Sequence, residues 1–271
     1  MTNFKVLIDT NVLVSASINQ LIVKLNCKLQ HHFNELAQPL FDYFRKNIDK
    51  RIGVFTPEIE NSAKGVLIRA IDSEIKDLEN EGIKEKLKEI ETYSFILQES
   101  TSNLVENMDI LIREPINEQA IKKITHEVFA FYNWLFRCLE QEDPSIVVNQ
   151  LSYGLPKNLK GLAKGIFTKQ ENDRLDLYYK LANKFKKDPP DIKDVRILSQ
   201  AVYFLRSKTF GENVHMLIAS TDHHFSKIRK NKELNDFVPR RIYKKLGVYC
   251  GWPDEILKIL KREVSIPEKD I

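Results

Sequence analysis

The chain has 271 residues, of which 42% are hydrophobic and 30% charged, and its net charge is +4 at pH 7. This is the composition of a water-soluble globular protein, and the lack of an apolar run of about 18 residues argues against a membrane span. The N-terminus does not have the layout of a signal peptide. The three cysteines, Cys27, Cys138 and Cys250, are odd in number, far apart and never in a CxxC spacing, which argues against a disulfide framework and a cysteine-based zinc site. We therefore expect a protein of the reducing cytoplasm.

The first predicted element is a buried strand over residues 4–8, which ends at the polar triplet Asp9-Thr10-Asn11. Ligands of an open parallel sheet bind beyond the carboxyl ends of its strands, so Asp9 is the first candidate site residue. Apolar residues that recur every three or four positions then predict a helix over roughly residues 20–48.

A second strand is predicted over residues 51–56, and Pro57 follows it at a first-turn position that helices tolerate. The apolar stripe after Pro57 predicts a helix that continues toward residue 91. From about residue 100 to 187 the strand–helix alternation is lost, and the helical period over 116–139 predicts a helical insertion.

The alternation returns near residue 188. A helix leads to a strand over 216–219, and this strand ends in Ser220-Thr221-Asp222 much as the first strand ends in Asp9. A last strand over 246–250 and a short helix after Trp252 complete the pattern.

The order of these elements predicts the fold class. Strands that alternate with helices on both sides of the central region indicate an α/β fold with a mostly parallel sheet. Residues 1–99 and 188–271 would form this domain, which ends in a C-terminal helix, and residues 100–187 would form the insertion.

Four places offer an acid where a strand becomes a loop or helix: Asp9, Glu60 (or Glu58), Asp194 (or Asp191) and Asp222. An acid in the first turn of a helix has an ordinary explanation, since the helix dipole stabilises it by about 0.3–1 kcal/mol. Asp9 and Asp222 are different, because a carboxylate that directly follows buried strand residues is costly to desolvate.

Taken together, these motifs resemble the PIN-domain (PilT N-terminus) family of metal-dependent nucleases. The matching stretches are Ile8-Asp9-Thr10-Asn11, Thr56-Pro57-Glu58-Ile59-Glu60, the residues from Asp194 to Ala201, and those from Ser220 to Phe225. The resemblance covers roughly residues 1–95 and 188–252, and it leaves the central region outside.

The resemblance implies a Rossmann-like, three-layer α/β/α fold and a cluster of acids that binds one or two Mg²⁺ or Mn²⁺ ions. The implied ligands are Asp9, Glu60, Asp194 and Asp222, with Asp191 as an additional one, and the implied supporting residues are Thr10, Asn11 and Thr221. The chain departs from the family at His224, where another acid is common. Glu58 and Glu60 both fit the second motif, and we prefer Glu60 because it lies beside the apolar stripe.

A nucleic-acid substrate also needs basic residues to neutralise its phosphates. Residues 224–245 contain eight Lys or Arg and two acids. The candidate contacts among them are Lys227, Arg229, Lys230, Arg240 and Arg241. Solubility is the simpler explanation for any single lysine, and the cluster beside Asp222 favours nucleic acid.

The predicted function is that of a metal-dependent PIN-type ribonuclease, taken as an endoribonuclease, that hydrolyses phosphodiester bonds of single-stranded or structured RNA. One alternative is a catalytically silent PIN-like module that binds RNA or a protein. Another is the toxin of a toxin–antitoxin pair, although such proteins are usually compact. A third alternative is a phosphohydrolase of another Rossmann-like family. Such a protein typically has a second Asp where this chain has Asn11, which argues against it. A protein regulator and oligomer formation stay open.

Overall fold

The computed structural model describes residues 3–18, 34–79, 83–142, 192–222, 228–230, 233–235 and 237–266. The chain divides into two compact units. The first comprises Met1–Ile116, Asn213–Thr221 and Gly251–Ile266, and the second comprises Asn117–Glu212, Asp222–Cys250 and Pro267–Ile271. Helices and strands are numbered in chain order over the described residues.

The main feature of the fold is a five-stranded parallel sheet. Its strands are β1 (Asn3–Ile8), β2 (Gly53–Phe55), β3 (Ile112–Arg113), β4 (Val214–Ala219) and β7 (Tyr249–Gly251). The strand order is β3-β2-β1-β4-β7, so β1 lies at the centre. Together with the flanking helices, this sheet confirms the predicted α/β class.

Pairing and burial explain the central place of β1. It pairs with β4 along its whole length, from Asn3 opposite Val214 to Ile8 opposite Ala219. Leu7 and Ile8 are fully buried. Central strands of parallel sheets consist of such continuous apolar runs, because both of their faces are covered.

The described helices of the first unit are α1 (Thr10–Ser17), α2 (Asn34–Lys46), α3 (Pro57–Glu79), α4 (Ile83–Asp109) and α8 (Pro253–Leu260), and a 3-10 turn spans Ile48–Lys50. α1 directly follows β1 and packs against α2, α3 and α4. Every residue of α1 except Asn11 is buried. α3 begins at Pro57, as predicted from its tolerance in the first turn.

A polar seam, formed by Ser17, Asn107 and Arg45, connects α1, α4 and α2. The Ser17 hydroxyl donates to the Leu13 carbonyl at 2.7 Å and accepts from Asn107 Nδ2 at 3.2 Å. Asn107 Oδ1 accepts from Arg45 Nη2 at 2.5 Å. Because Ser17 and Asn107 are fully buried, these bonds provide the partners that water cannot.

The second unit contains α5 (Glu118–Glu142), α6 (Ile192–Arg206), α7 (Phe237–Leu246) and an antiparallel pair of strands, β5 (Ile228–Lys230) and β6 (Glu233–Asn235). α6 packs against α5. Two ion pairs join these helices, Arg196–Glu118 and Arg206–Glu127.

Several elements were not predicted from the sequence. β3 lies inside residues 100–187, where no strand was expected, and β5, β6 and α7 lie in the stretch that was interpreted as a basic cluster. The last strand begins later than predicted, because α7 continues to Leu246.

The described residues do not cover every expectation. The first half of the helix predicted over 20–48 lies outside them. So do residues 143–187 of the central region, and the insertion as a whole stays a prediction. Among the helices that are described, none combines the length and the apolar character needed to cross a bilayer.

Candidate functional site

The carboxyl ends of the parallel strands form what we call the carboxyl edge of the sheet. This is where open parallel sheets bind their ligands. The residues at or just past the strand ends are Asp9 (β1), Thr56 (β2), Arg113 (β3), Ser220 (β4) and Trp252 (β7).

Asp9 is buried at the centre of the carboxyl edge, with 3% of its surface exposed. Its backbone carbonyl accepts from Val12 and Leu13, which places Asp9 at the N-cap of α1. In the described structure its side chain makes no capping hydrogen bond to that helix. The carboxylate accepts instead from Ser220, whose hydroxyl lies 2.6 Å from Asp9 Oδ2.

Ser220 connects three strands at this point. Its hydroxyl contacts Asp9 after β1, and its backbone N–H donates to the Gly251 carbonyl in β7 at 3.0 Å. Thr221 and Asp222 were predicted as site residues, and Ser220 was missed. The sequence alone gave no signal for it, because Ser220 lies next to Asp9 only through the pairing of Ala219 with Ile8.

The predicted supporting residues lie close to Asp9 in the chain or the sheet. Thr10 is buried in the first turn of α1, while the neighbouring Asn11 is exposed. Thr221 is half-buried and directly follows Ser220. Their expected task of orienting Asp9 stays a prediction.

Thr56 fixes the start of α3 at the carboxyl edge. It is fully buried, its hydroxyl accepts from the Ile59 N–H at 3.4 Å, and its carbonyl accepts from the Glu60 N–H at 3.0 Å. The first bond satisfies a backbone donor that a helix start leaves open, and the second is the first regular hydrogen bond of the helix. They also place Glu58 and Glu60 in the first turn of α3, where both are half-buried.

Glu60 is bound by two cations. Lys64 Nζ lies 2.7 Å from its Oε1, and Arg113 Nε lies 2.8 Å from its Oε2. The hydrogen bonds from Lys64 and then Arg113 hold the pKa of Glu60 below its ordinary value of 4.5. Both carboxylate oxygens therefore have a partner in the free protein.

The remaining predicted acids belong to the second unit. Asp194 lies in the first turn of α6, and Asp222 follows the end of β4 by three residues, and both are half-buried. Asp9 and Glu60 belong to the first unit. A cluster of all four acids stays a prediction, and Asp191 lies outside the described residues.

The predicted nucleic-acid contacts also fall in the second unit. Arg229 and Lys230 belong to β5, and Arg240 and Arg241 belong to α7, where Arg240 is exposed. Lys227 lies outside the described residues. α7 presents a further pair of basic residues, Lys244 and Lys245, in its last turn.

Within the described ranges, no three or more His, Cys, Asp or Glu side chains are grouped so that they could hold a metal ion. No protein-family model, curated protein or solved structure matches the chain. What the described residues do show at the carboxyl edge is a buried carboxylate at the end of the central strand and, in the first turn of α3, a carboxylate bound by two cations.

Proposed function

We propose that this protein is a metal-dependent ribonuclease that hydrolyses RNA phosphodiester bonds with Mg²⁺ or Mn²⁺ held by carboxylates. The observation that carries the proposal is the position of Asp9. Its carboxylate is buried at the carboxyl end of the central strand and bonds to Ser220 across the sheet.

Helix capping does not explain the carboxylate of Asp9. Aspartate at an N-cap stabilises a helix by accepting from an N–H of the first turn, and Asp9 makes no such bond in the described structure. Burial of a carboxylate is costly unless it is compensated. A cation ligand at the carboxyl edge is a function that requires the charge.

The donor set suits the proposed ions. Mg²⁺ and Mn²⁺ prefer oxygen ligands, and the carboxylates proposed to supply them are those of Asp9, Glu60, Asp194 and Asp222, with Asp191 as an additional one. Ligating carboxylates are usually hydrogen-bonded by neighbouring groups that fix their orientation, as Ser220 does for Asp9. The bound ion would supply an activated water and neutralise charge on the phosphate.

The proposed function assigns a separate role to each group of residues. Asp9 holds the centre of the site, Ser220 fixes the orientation of its carboxylate, and the basic residues of β5 and α7 bind the RNA backbone. RNA is preferred as the substrate class because the resemblance to PIN domains implies it.

We also infer the finer features of the fold. The parallel sheet with its flanking helices supports a PIN-like, three-layer α/β/α arrangement. Within residues 100–187, the 25-residue α5 supports a mainly helical insertion.

A second candidate function is a PIN-like module that binds RNA or a protein without cleavage. The ion pairs of Glu60 favour it, because both oxygens of a proposed metal ligand are occupied. RNA binding without metal-dependent cleavage would support this alternative.

The test is cleavage of labelled single-stranded RNA, single-stranded DNA and a small phosphomonoester, with Mg²⁺, Mn²⁺ or EDTA. The variant Asp9→Asn is compared with Asp49→Asn, which removes an exposed acid of the 3-10 turn. We expect metal-dependent RNA cleavage by the wild type and by Asp49→Asn, and none by folded Asp9→Asn. Titration with Mn²⁺ should show that the wild type and Asp49→Asn bind the ion and that Asp9→Asn has lost this binding. A folded wild type without metal-stimulated RNA cleavage would sink the proposal.

A further inference from the structure

Two cations from different elements converge on one carboxylate at the carboxyl edge. Arg113 ends β3, opposite Phe55 at the end of β2, and the Glu114 N–H donates to the Phe55 carbonyl at 2.9 Å. The backbone of Arg113 is thereby fixed beside the start of α3. From there its Nε donates to Glu60, which Lys64 contacts from the next turn of α3.

The ordinary explanation covers only part of this arrangement. A Glu and a Lys four residues apart form a common pair on a helix surface, which accounts for Lys64. It does not account for Arg113, which belongs to the edge strand and lies 53 residues from Glu60 in the chain.

The two cations are also more open to solvent than the carboxylate between them. The exposed fractions of the side chains are 60% for Arg113, 46% for Lys64 and 18% for Glu60. Arginine has five N–H donors, and within the described part of the chain Arg113 uses only its Nε–H in a side-chain contact. At this point two cations contact a single carboxylate.

We propose that Arg113 and Lys64 form a phosphate-binding subsite for one phosphodiester of an RNA strand, and that Glu60 occupies this subsite in the free protein. The choice of RNA rests on the proposed ribonuclease function. The cation pair itself is independent of any bound metal.

Chemistry favours a phosphodiester as the group that replaces Glu60. Like a carboxylate, a phosphodiester carries one negative charge and two equivalent oxygens, so it can replace Glu60 at both cations. The planar guanidinium of Arg113 binds such a pair of oxygens in a bidentate manner through two of its N–H groups.

The exchange would link substrate binding to the metal site. Once a phosphate binds Arg113 and Lys64, the carboxylate of Glu60 loses both partners and becomes available as an oxygen ligand. Glu60 would therefore weaken RNA binding in the absence of metal and support catalysis in its presence.

The test is the affinity for a fluorescently labelled single-stranded oligoribonucleotide, measured by anisotropy in EDTA so that no cleavage occurs. Arg113→Gln is compared with Arg206→Gln, which removes a partly exposed, ion-paired arginine of α6. Glu60→Gln is compared with Glu212→Gln, which removes an exposed glutamate that also pairs with a lysine four residues away. The members of each pair change the net charge equally.

We expect Arg113→Gln to weaken binding by about tenfold and to reduce the slope of log K against log salt concentration by about 0.7. Lys64→Gln should weaken binding by about threefold. The affinity of Arg113→Lys should lie between those of Arg113→Gln and the wild type, because lysine keeps the positive charge and loses the bidentate guanidinium. Glu60→Gln should tighten binding by about fivefold, because it removes the competing charge. The two control variants should resemble their parent within about twofold.

The opposite signs make the proposal easy to overturn. If Glu60→Gln binds no more tightly than Glu212→Gln, or if Arg113→Gln behaves like Arg206→Gln, the subsite is wrong. Circular dichroism of each variant ensures that folded proteins are compared. Binding that follows the expected order without any metal-dependent cleavage would overturn the ribonuclease function while supporting the subsite.

Discussion

The Ser220 hydroxyl donates a hydrogen bond of 2.6 Å to the Asp9 carboxylate, although the two residues lie 211 positions apart in the chain. They meet because β1 and β4 pair in register up to Ile8 and Ala219, so that the next residue of each strand faces the other. Both residues are buried. A charge-assisted bond in such surroundings is stronger than one in water.

Replacement of Ser220 by alanine tests this bond. Ser220→Ala should lower the free energy of unfolding by about 1.5–3 kcal/mol, because the buried Asp9 carboxylate loses a charge-assisted donor. RNA cleavage should fall by about 10–100-fold, since the orientation of Asp9 is no longer fixed. Urea denaturation and initial rates measure the two effects. The matched control is Ser207→Ala, an exposed serine, which should change stability by less than about 0.5 kcal/mol; equal losses in both variants would contradict the assignment.

Lys5 predicts a pH dependence of stability. It is buried, and its ammonium donates to the Arg51 carbonyl at 2.5 Å and to the Lys50 carbonyl at 3.5 Å. Burial, and then the positive charge of Arg51, lower the pKa of Lys5 below its ordinary value of 10.5. Between the lowered pKa and 10.5 the unfolded chain binds more protons than the folded one, so the contribution of Lys5 to the free energy of unfolding rises with pH.

The difference in unfolding free energy between the wild type and Lys5→Met should therefore shift in favour of the wild type as the pH approaches 10.5. Urea denaturation at several alkaline pH values measures it. Lys50→Met provides the control, because the Lys50 side chain is exposed and bonds to Asn47 on the surface. If the difference in unfolding free energy between the wild type and Lys5→Met depends on pH no more than the difference for Lys50→Met, the burial of the Lys5 charge is contradicted.

Gly53, the first residue of β2, lies where no side chain fits. A Cβ atom at this position would be 2.3 Å from Leu111 Cδ2 and 3.2 Å from Phe44 Cε2. Gly53→Ala should lower the free energy of unfolding by about 1–3 kcal/mol through overpacking. Gly65→Ala in α3 should raise it by up to about 1 kcal/mol, because alanine favours the helix and the nearest atom belongs to the flexible Arg69. Thermal unfolding shows whether each variant is more or less stable than the wild type. A destabilised Gly65→Ala together with a neutral Gly53→Ala would contradict the packing described for both glycines.

The polar seam predicts an energetic coupling between Ser17 and Asn107. Asn107→Ala leaves Ser17 and Arg45 without their bonds to the amide and should cost about 1–3 kcal/mol. Ser17→Ala in the same background should cost less than it does alone, with a coupling of about 0.5–1.5 kcal/mol. A double-mutant cycle in urea measures this quantity, and strict additivity would show that the 3.2 Å bond adds no stability.

The sequence predicts the elements whose signal is local. β1 ends in the apolar run Val6-Leu7-Ile8, and α3 begins at a proline that follows a short strand. β3 was missed because two residues, Ile112 and Arg113, are too few to show an alternating pattern. α7 was interpreted as a basic cluster because four of its ten residues are Lys or Arg, although its Ile242 is fully buried.

In the candidate site, too, local features could be predicted and contacts between distant residues could not. Asp9 could be found from its place at the end of an apolar strand. The partners of the two carboxylates could not, because Ser220 reaches Asp9, and Arg113 reaches Glu60, through pairing between strands that are distant in the chain. Such contacts depend on the order and register of the sheet, which no single stretch of sequence specifies.

The central position of β1 has a consequence for synthesis on the ribosome. Its neighbour β2 leaves the ribosome soon after it, but β4 begins only at Val214. The edge of β1 that pairs with β4 therefore has no strand partner during most of translation. Open strand edges with apolar residues such as Leu7 and Ile8 associate readily with other chains. The nascent protein is therefore expected to depend on chaperones until β4 arrives, and chains that stop before Val214 should aggregate rather than fold.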